Sequence, residues 1–407
     1  MTQSANPQNA QRMGQVEFIA MIAMLFATIA FSIDSMLPAL PTIAAELTPE
    51  IPNKAQLILT SFVLGMGLGT MVAGPLSDSF GRRRIIVIGS VIYCIAAAVA
   101  YFAPTLETML LARVVQGLGV AAPRVVSLAL VRDLYKGREM ARVVSFAMMI
   151  FTLVPAIAPL AASGIIAAFG WRAIFVTFVL FSGLSLIWLM ARQPETLPLE
   201  SRRPFRAAPL IAALREVLSH RTIVTTIAVQ TLVLGSLFGM LSSAQPVIDV
   251  QFGRADSFPL WFALVALCAG LASPTNAALV GRLGMRYLVT ATLISQIIIS
   301  GAMLVLTLSG LLPAGLAFAA FIFWMISVFA MAGLTLGNLN ALALEPVGHI
   351  AGMAASVAGS ISTVLAVVIA APLGLAFNGN YVPLVLGISV MAVLALALML
   401  SIPRDKS

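Results

Sequence analysis

Charge is what this sequence has least of. Only 9% of its 407 residues are Asp, Glu, Lys or Arg, whereas a folded surface that faces water carries roughly 25%. So few charges cannot keep a globule of this size in water, which excludes a soluble enzyme. A hydrophobic content of 60% excludes a disordered chain as well. Cysteine and histidine are equally scarce, at two each. Cys94 and Cys268 each sit in an apolar run with no second Cys or His nearby, so they read as small buried residues with neither disulfide nor metal site. His220 and His349 fall between apolar runs without a carboxylate-rich neighbourhood. No glycine loop of the phosphate-cradling type is present either. An enzyme, a metal site and an ATP-driven pump are therefore not expected, and no cofactor is.

What the sequence has instead is apolar length. The mean hydropathy is +1.05, and at about 20 residues per span plus a short connection the chain has room for on the order of twelve membrane helices. Apolar runs interrupted by charge, Pro and Gly predict spans at 18–40, 56–76, 85–103, 106–131, 143–169 and 173–191. Six more follow at 222–247, 259–280, 287–308, 314–344, 351–377 and 382–402. Between the sixes lies 192–221, with six Arg and four Pro, which cannot cross a bilayer. The expected organisation is an all-α polytopic membrane protein. It comprises a tail at 1–17, a six-helix bundle at 18–191, a basic linker at 192–221, a second bundle at 222–402 and a tail at 403–407. Met1 to Gln15 is polar and lacks a basic n-region, so the first run is read as a retained membrane helix.

The halves repeat each other weakly. A slide of 203 residues lays Leu279-Val-Gly-Arg-Leu-Gly284 over Leu76-Ser-Asp-Ser-Phe-Gly81, and half the chain length is about the same. With the N-terminus placed in the cytoplasm, eighteen basic residues fall on the inner side. Lys54, Arg172 and Arg254 alone fall outside. That positive-inside bias accounts for a net charge of +8 without nucleic acid, and puts both termini in the cytoplasm.

Three charges remain in the membrane: Asp34, Arg113 and Arg124. Each costs at least about 2.5 to 3.5 kcal/mol near the bilayer centre on insertion scales. The arginines are eleven residues apart, so they share a helix face that must look inward. Counting rise per residue puts Asp34 and Arg113 both about 10 Å from the outer boundary and Arg124 about 16 Å deeper. Two readings stay open: a static buried ion pair or an arginine satisfied by carbonyls, and a titratable carboxylate in a central cavity, where burial penalises its charge and a neighbouring arginine favours it. In either case Asp34 is the only intramembrane group able to carry a proton near neutral pH. The second half contributes no intramembrane charge and offers Met331, Asn338 and Asn340, beside Trp324 and Phe329, as a wall for a hydrophobic ligand.

Several segments carry a family resemblance. Gly74-Pro-Leu-Ser-Asp78-Ser-Phe-Gly81-Arg82-Arg-Arg84 resembles the signature loop of the major facilitator superfamily, and Arg113-Val-Val-Gln116-Gly117-Leu-Gly119 its second motif, associated with proton coupling. Ser32-Ile-Asp34-Ser-Met-Leu-Pro38-Ala-Leu-Pro41, Arg124 through Arg132-Asp133-Leu-Tyr135, and Gly170-Trp171-Arg172-Ala-Ile-Phe175 resemble the bicyclomycin-resistance (Bcr/CflA) branch of the drug:proton antiporters. The fifth span departs from the antiporter motif. Around Pro155 and Pro159 it places Ala158, Ala162 and Ser163 where the family has glycines, and Gly281 falls where the repeat would need a second Asp78.

The resemblance implies two six-helix bundles rocking about a central site, with export of small amphipathic drug-like molecules driven by proton entry across a bacterial inner membrane. The alternative is a proton symporter or metabolite exporter of the same fold. Asp34 and Arg113 are expected to couple the proton, and Asp34, Arg124, Met331, Asn338 and Asn340 to line the cavity. Gly74, Asp78, Gly81 and Arg82 would form a latch that favours one conformer. Gln116, Gly117, Pro155 and Pro159 would serve helix packing. The expected partners are a small-molecule substrate and membrane lipid around a monomer, with protons as the coupling ion.

Overall fold

The computed structural model describes residues 13–202 and 204–402, so the tail beyond Ile402 and the charges Arg12, Arg203, Arg404 and Lys406 lie outside the described residues. Fifteen α-helices and short 3₁₀ or π turns make up the described chain. Eleven stretches are long and apolar enough to cross a membrane, and one of them, Ala314–Leu375, has 62 residues. A single helix of that length would be about 93 Å long against a hydrocarbon core of about 30 Å. It folds as α13 (Ala314–Leu344) and α14 (Ala351–Leu375), parted at Glu345–Ile350 where Val347 leaves helical angles. The chain therefore makes the twelve helical passes expected of it.

Two passes are broken, which the apolar runs did not announce. The first consists of α1 (Gln15–Asp34), a 3₁₀ turn at Leu37–Ala39 and α2 (Leu40–Leu47). Pro38 and Pro41 cannot donate to the helical ladder, and a residue before proline is pushed off the α conformation. The ladder fails just upstream of them: Met36 N turns to Ile33 O at 3.2 Å instead of reaching Ser32 O. The eighth pass consists of α10 (Phe258–Gly270) and α11 (Ala272–Leu283), parted at Leu271. Pro274 has no N–H to offer Gly270 O four residues earlier, so the first helix stops there.

The broken first pass is held at both ends by α7 (Ala173–Arg192). Near its start, Glu17 accepts two bonds from Arg192, at 2.8 and 2.9 Å, and one from Trp188 Nε1 at 3.2 Å. At the other end, Glu46 pairs with Arg172 at 2.7 Å and accepts Trp171 Nε1 at 2.8 Å. Between these clamps Phe31 packs on Phe178 and Phe181. The Gly-Trp-Arg sequence at residue 170 thus anchors the second half of the first pass, while Gly170, at φ +78°, supplies the turn.

Close approach sets the packing of α3 (Leu57–Phe80), α4 (Arg82–Tyr101) and α5 (Leu106–Leu134). A Cβ on Gly117 would lie 2.7 Å from Met66 N of α3, and one on Gly119 would lie 2.7 Å from Tyr93 N of α4. Only glycine lets α5 sit between both neighbours at this spacing. The expected packing roles of Pro155 and Pro159 fall within α6 (Gly137–Phe169), which runs through both prolines as one 33-residue helix. The ladder bonds they omit weaken it without breaking it. Helix α6 meets α10 through Ala156, Ala263 and Ala266, and α3 packs along α14, so these two pairs join the halves of the chain.

The repeat has a conformational counterpart. Gly81, between α3 and α4, has φ +100° and ψ 149°, and Gly284, between α11 and α12 (Met285–Leu308), has φ +82° and ψ 153°. Both are helix stops that L side chains rarely adopt. The linker, read only as unable to cross, holds α8 (Ala207–Ser219), about 20 Å long and too short to span. It packs through Leu210, Leu214 and Val217 on α14 and on α9 (Arg221–Pro246), and α15 (Val382–Ser401) completes the second half. Cys94 and Cys268 are free and half-buried rather than fully buried.

Candidate functional site

The break in the first pass positions Asp34. It ends α1, only 4% exposed, where the helix ladder has just been interrupted. Among the described residues it has no hydrogen bond and no ion pair. The neighbouring Ser35 hydroxyl is buried and equally without a partner. A carboxyl buried without a partner is uncommon.

Arg113 reaches the end of α1 that carries Asp34, but it does not pair with it. Its guanidinium donates to Ser32 O at 3.0 Å, to Ile58 O at 3.3 Å and to Gln116 Oε1 at 2.6 Å, and lies 4.3 Å from the centroid of Phe62. The reading of an arginine satisfied by carbonyls describes this arrangement, and the expected Asp34–Arg113 pair is corrected. The physical cause is the helix break. Ser32 O loses its ladder donor when Met36 N turns away, and the fully buried arginine supplies the replacement. Gln116 is corrected in the same way: it binds Arg113, and the packing role belongs to Gly117 and Gly119. Ser32 Oγ bonds Tyr93 Oη, so α1, α3, α4 and α5 meet in one polar cluster two residues from Asp34. Ser32 and Tyr93 carry no charge, and the charge count passed over them.

Arg124 also faces α3, where its Nη1 meets Met66 Sδ at 3.7 Å, so the two arginines do lie along one face of α5. Unlike Arg113 it is exposed. In the second half Asn340 is exposed and accepts Gln230 Nε2 at 3.1 Å. Asn338 is buried and ties α13 to α11 by donating to Asn276 Oδ1 at 2.7 Å. Met331 is 2% exposed within the main core, which removes it from any cavity wall in this conformation. It follows the ordinary rule that a methionine in a membrane helix is core.

The four latch residues lie at the linker end of α3 and α4. Arg82 pairs with Asp78, donates to Ser77 Oγ at 2.6 Å and reaches Asp133 Oδ2 of α5 at 3.3 Å. A fifth member was not singled out from the sequence. Glu195, just past α7, accepts the backbone N–H of Arg82 at 2.8 Å and of Arg83 at 3.1 Å, capping α4 with a carboxylate. Thr196 completes the junction by donating to Asp133 Oδ2 at 2.8 Å. The available signal was an acid at the start of the basic linker, ahead of most of its arginines. Gly74 lies one ordinary contact, 3.7 Å for an added Cβ, from Ser356 of α14, so the latch sits where the halves meet.

Comparison with known proteins gives the family. The family described as Major Facilitator Superfamily matches residues 20–371. A bicyclomycin resistance protein homolog of Haemophilus influenzae is 30% identical, over 84% of this chain and 85% of its own length. The multidrug resistance protein MdtL of Shewanella oneidensis is 27% identical, over 91% and 92%. Among solved structures, the D-xylose-proton symporter superposes with a TM-score of 0.77 at 15% identity, over 95% of this chain and 98% of its own. That likeness speaks for the fold alone. With the family match spanning most of the chain and the helical passes accounted for, this protein belongs to the major facilitator superfamily of membrane transporters.

Proposed function

We propose that the chain is a proton-coupled exporter that moves small amphipathic, drug-like molecules out across a bacterial inner membrane in exchange for protons, with both termini in the cytoplasm. The observation that carries the reading is Asp34, a carboxyl with no partner, buried at the break of the first pass. A structural acid at this depth would be paired, whereas a carrier of protons must be free to lose and regain one. The names of the relatives support a drug-like cargo, because resistance to bicyclomycin and to multiple drugs is what they record.

In this mechanism Asp34 takes a proton while the central site faces outward. The neutral acid tolerates burial without a partner, and the proton leaves when the site opens inward. Arg113 keeps its bonds to Ser32, Ile58 and Gln116 and holds the broken helix in shape, so it acts as a positioning residue. Arg124, Asn340 and Gln230 offer polar groups to the cargo. Asp78, Arg82, Asp133 and Glu195 bias which end is closed. The test is transport in proteoliposomes of purified protein. Export reading predicts that a proton gradient drives labelled drug against the direction of proton flow, and drug moving with the protons would establish the symport alternative.

A further inference from the structure

We propose that the cleft at the end of the molecule opposite the basic linker is a second ligand site, one that takes a small amphipathic amine and holds the two halves of the transporter together at that end. This goes beyond the transport reading, since the cleft is separate from Asp34 and would bind its ligand whether or not the chain exports drugs.

The cleft has a volume of about 440 Å³, the scale of a drug-sized ligand. One wall comes from the first half, through α2 and the turn at Pro52–Gln56, and the other from the second, through the end of α9, the turn at Val247–Gln251 and Phe377. Its apolar lining is made by Leu40, Ala44 and Phe377 among others. Asp249 is the only charged residue in the lining, and its carboxylate receives one bond within the protein, from Gln245 Nε2 at 3.2 Å. Nothing in the wall balances that negative charge.

An ammonium group suits this wall: it donates to Asp249 and can lie over the Phe377 ring. The apolar remainder of the ligand covers the aliphatic lining, while the buried amide of Gln56 faces Gly374 of α14 and takes no part.

Because the walls belong to different halves, such a ligand has its full contacts only while those halves are apposed, as they are where Asn53 Nδ2 donates to Phe377 O at 2.6 Å. A ligand with that differential affinity shifts the population toward this closed end.

The test uses the full chain in lipid nanodiscs and isothermal titration with 4-phenylbutylamine, with 4-phenylbutan-1-ol as its neutral counterpart. The amine should bind saturably and the alcohol at least about tenfold more weakly. Asp249→Asn should weaken the amine by the same factor. Ala45→Trp, at an exposed rim position, should block it while leaving the protein monodisperse. Asp34→Asn should leave the affinity unchanged. No saturable amine binding, or an affinity insensitive to both Asp249→Asn and Ala45→Trp, would overturn the site, and loss in Asp34→Asn alone would place the amine in the central cavity instead. Spin labels on Lys54→Cys and Asn378→Cys, in a chain carrying Cys94→Ser and Cys268→Ser, read the second part. The amine should narrow the distance distribution toward its short side, and a shift to longer distances would refute the closure.

Discussion

Replacing Asp34 by Asn removes one titratable proton from the membrane interior while keeping shape and volume nearly constant. A pH difference of one unit stores about 1.4 kcal/mol per proton. An exchanger that trades one proton for one neutral cargo molecule can therefore sustain a cargo ratio of about tenfold across the membrane. In proteoliposomes with an imposed one-unit gradient and the membrane potential clamped at zero by potassium and valinomycin, the wild-type chain should approach that ratio and Asp34→Asn should fall to unity. Asp34→Glu, which restores a carboxyl, should recover part of it. A tenfold ratio persisting in Asp34→Asn would remove this residue from coupling. Stability gives an independent check, because the carboxyl has no partner to lose. Asp34→Leu should raise the unfolding free energy by about 1 kcal/mol or more, relieving an unsatisfied buried group, measured by thermal unfolding in detergent. A loss of several kcal/mol there would mean that the acid is a structural partner and the argument from its solitude is wrong.

Arg113→Met should cost about 2–4 kcal/mol, since it strands Gln116 Oε1 and the Ser32 carbonyl, while Arg206→Ala in the exposed linker should stay within about 0.5 kcal/mol. Equal thermal shifts would undo the role given to Arg113. Gly119→Val should prevent α5 from seating on α4 and abolish stable expression, whereas Gly164→Ala, with no atom within 4 Å of its added Cβ, should be neutral or slightly stabilising. A well-folded Gly119→Val protein would contradict the close approach. Glu195→Ala should lose the cap of α4, about 1 kcal/mol, and alter the transport rate together with Arg82→Ala in a non-additive way, read from a double-mutant cycle. Strict additivity would separate Glu195 from the latch.

The sequence alone determined that lipid is the solvent, that there are twelve passes in two related sets, and that Asp34, Arg113 and Arg124 are the charges to explain. Those conclusions rest on local quantities: apolar length, loop charge and the spacing of residues along one helix. Gly81 and Gly284 matched across the repeat because a single φ-positive residue is a local demand of the chain, legible from its neighbours. Tertiary structure decided which groups face one another. Whether Arg113 meets Asp34 or Ser32 depends on a ladder bond lost at Met36, and no periodicity reports that loss. Glu195 reaches α4 across a separation of over a hundred residues, and Met331 goes to the core because α13 turns it there. Contacts between distant segments follow from how packed helices settle against each other, so the sequence could name the charges in the membrane but only the fold could assign their partners.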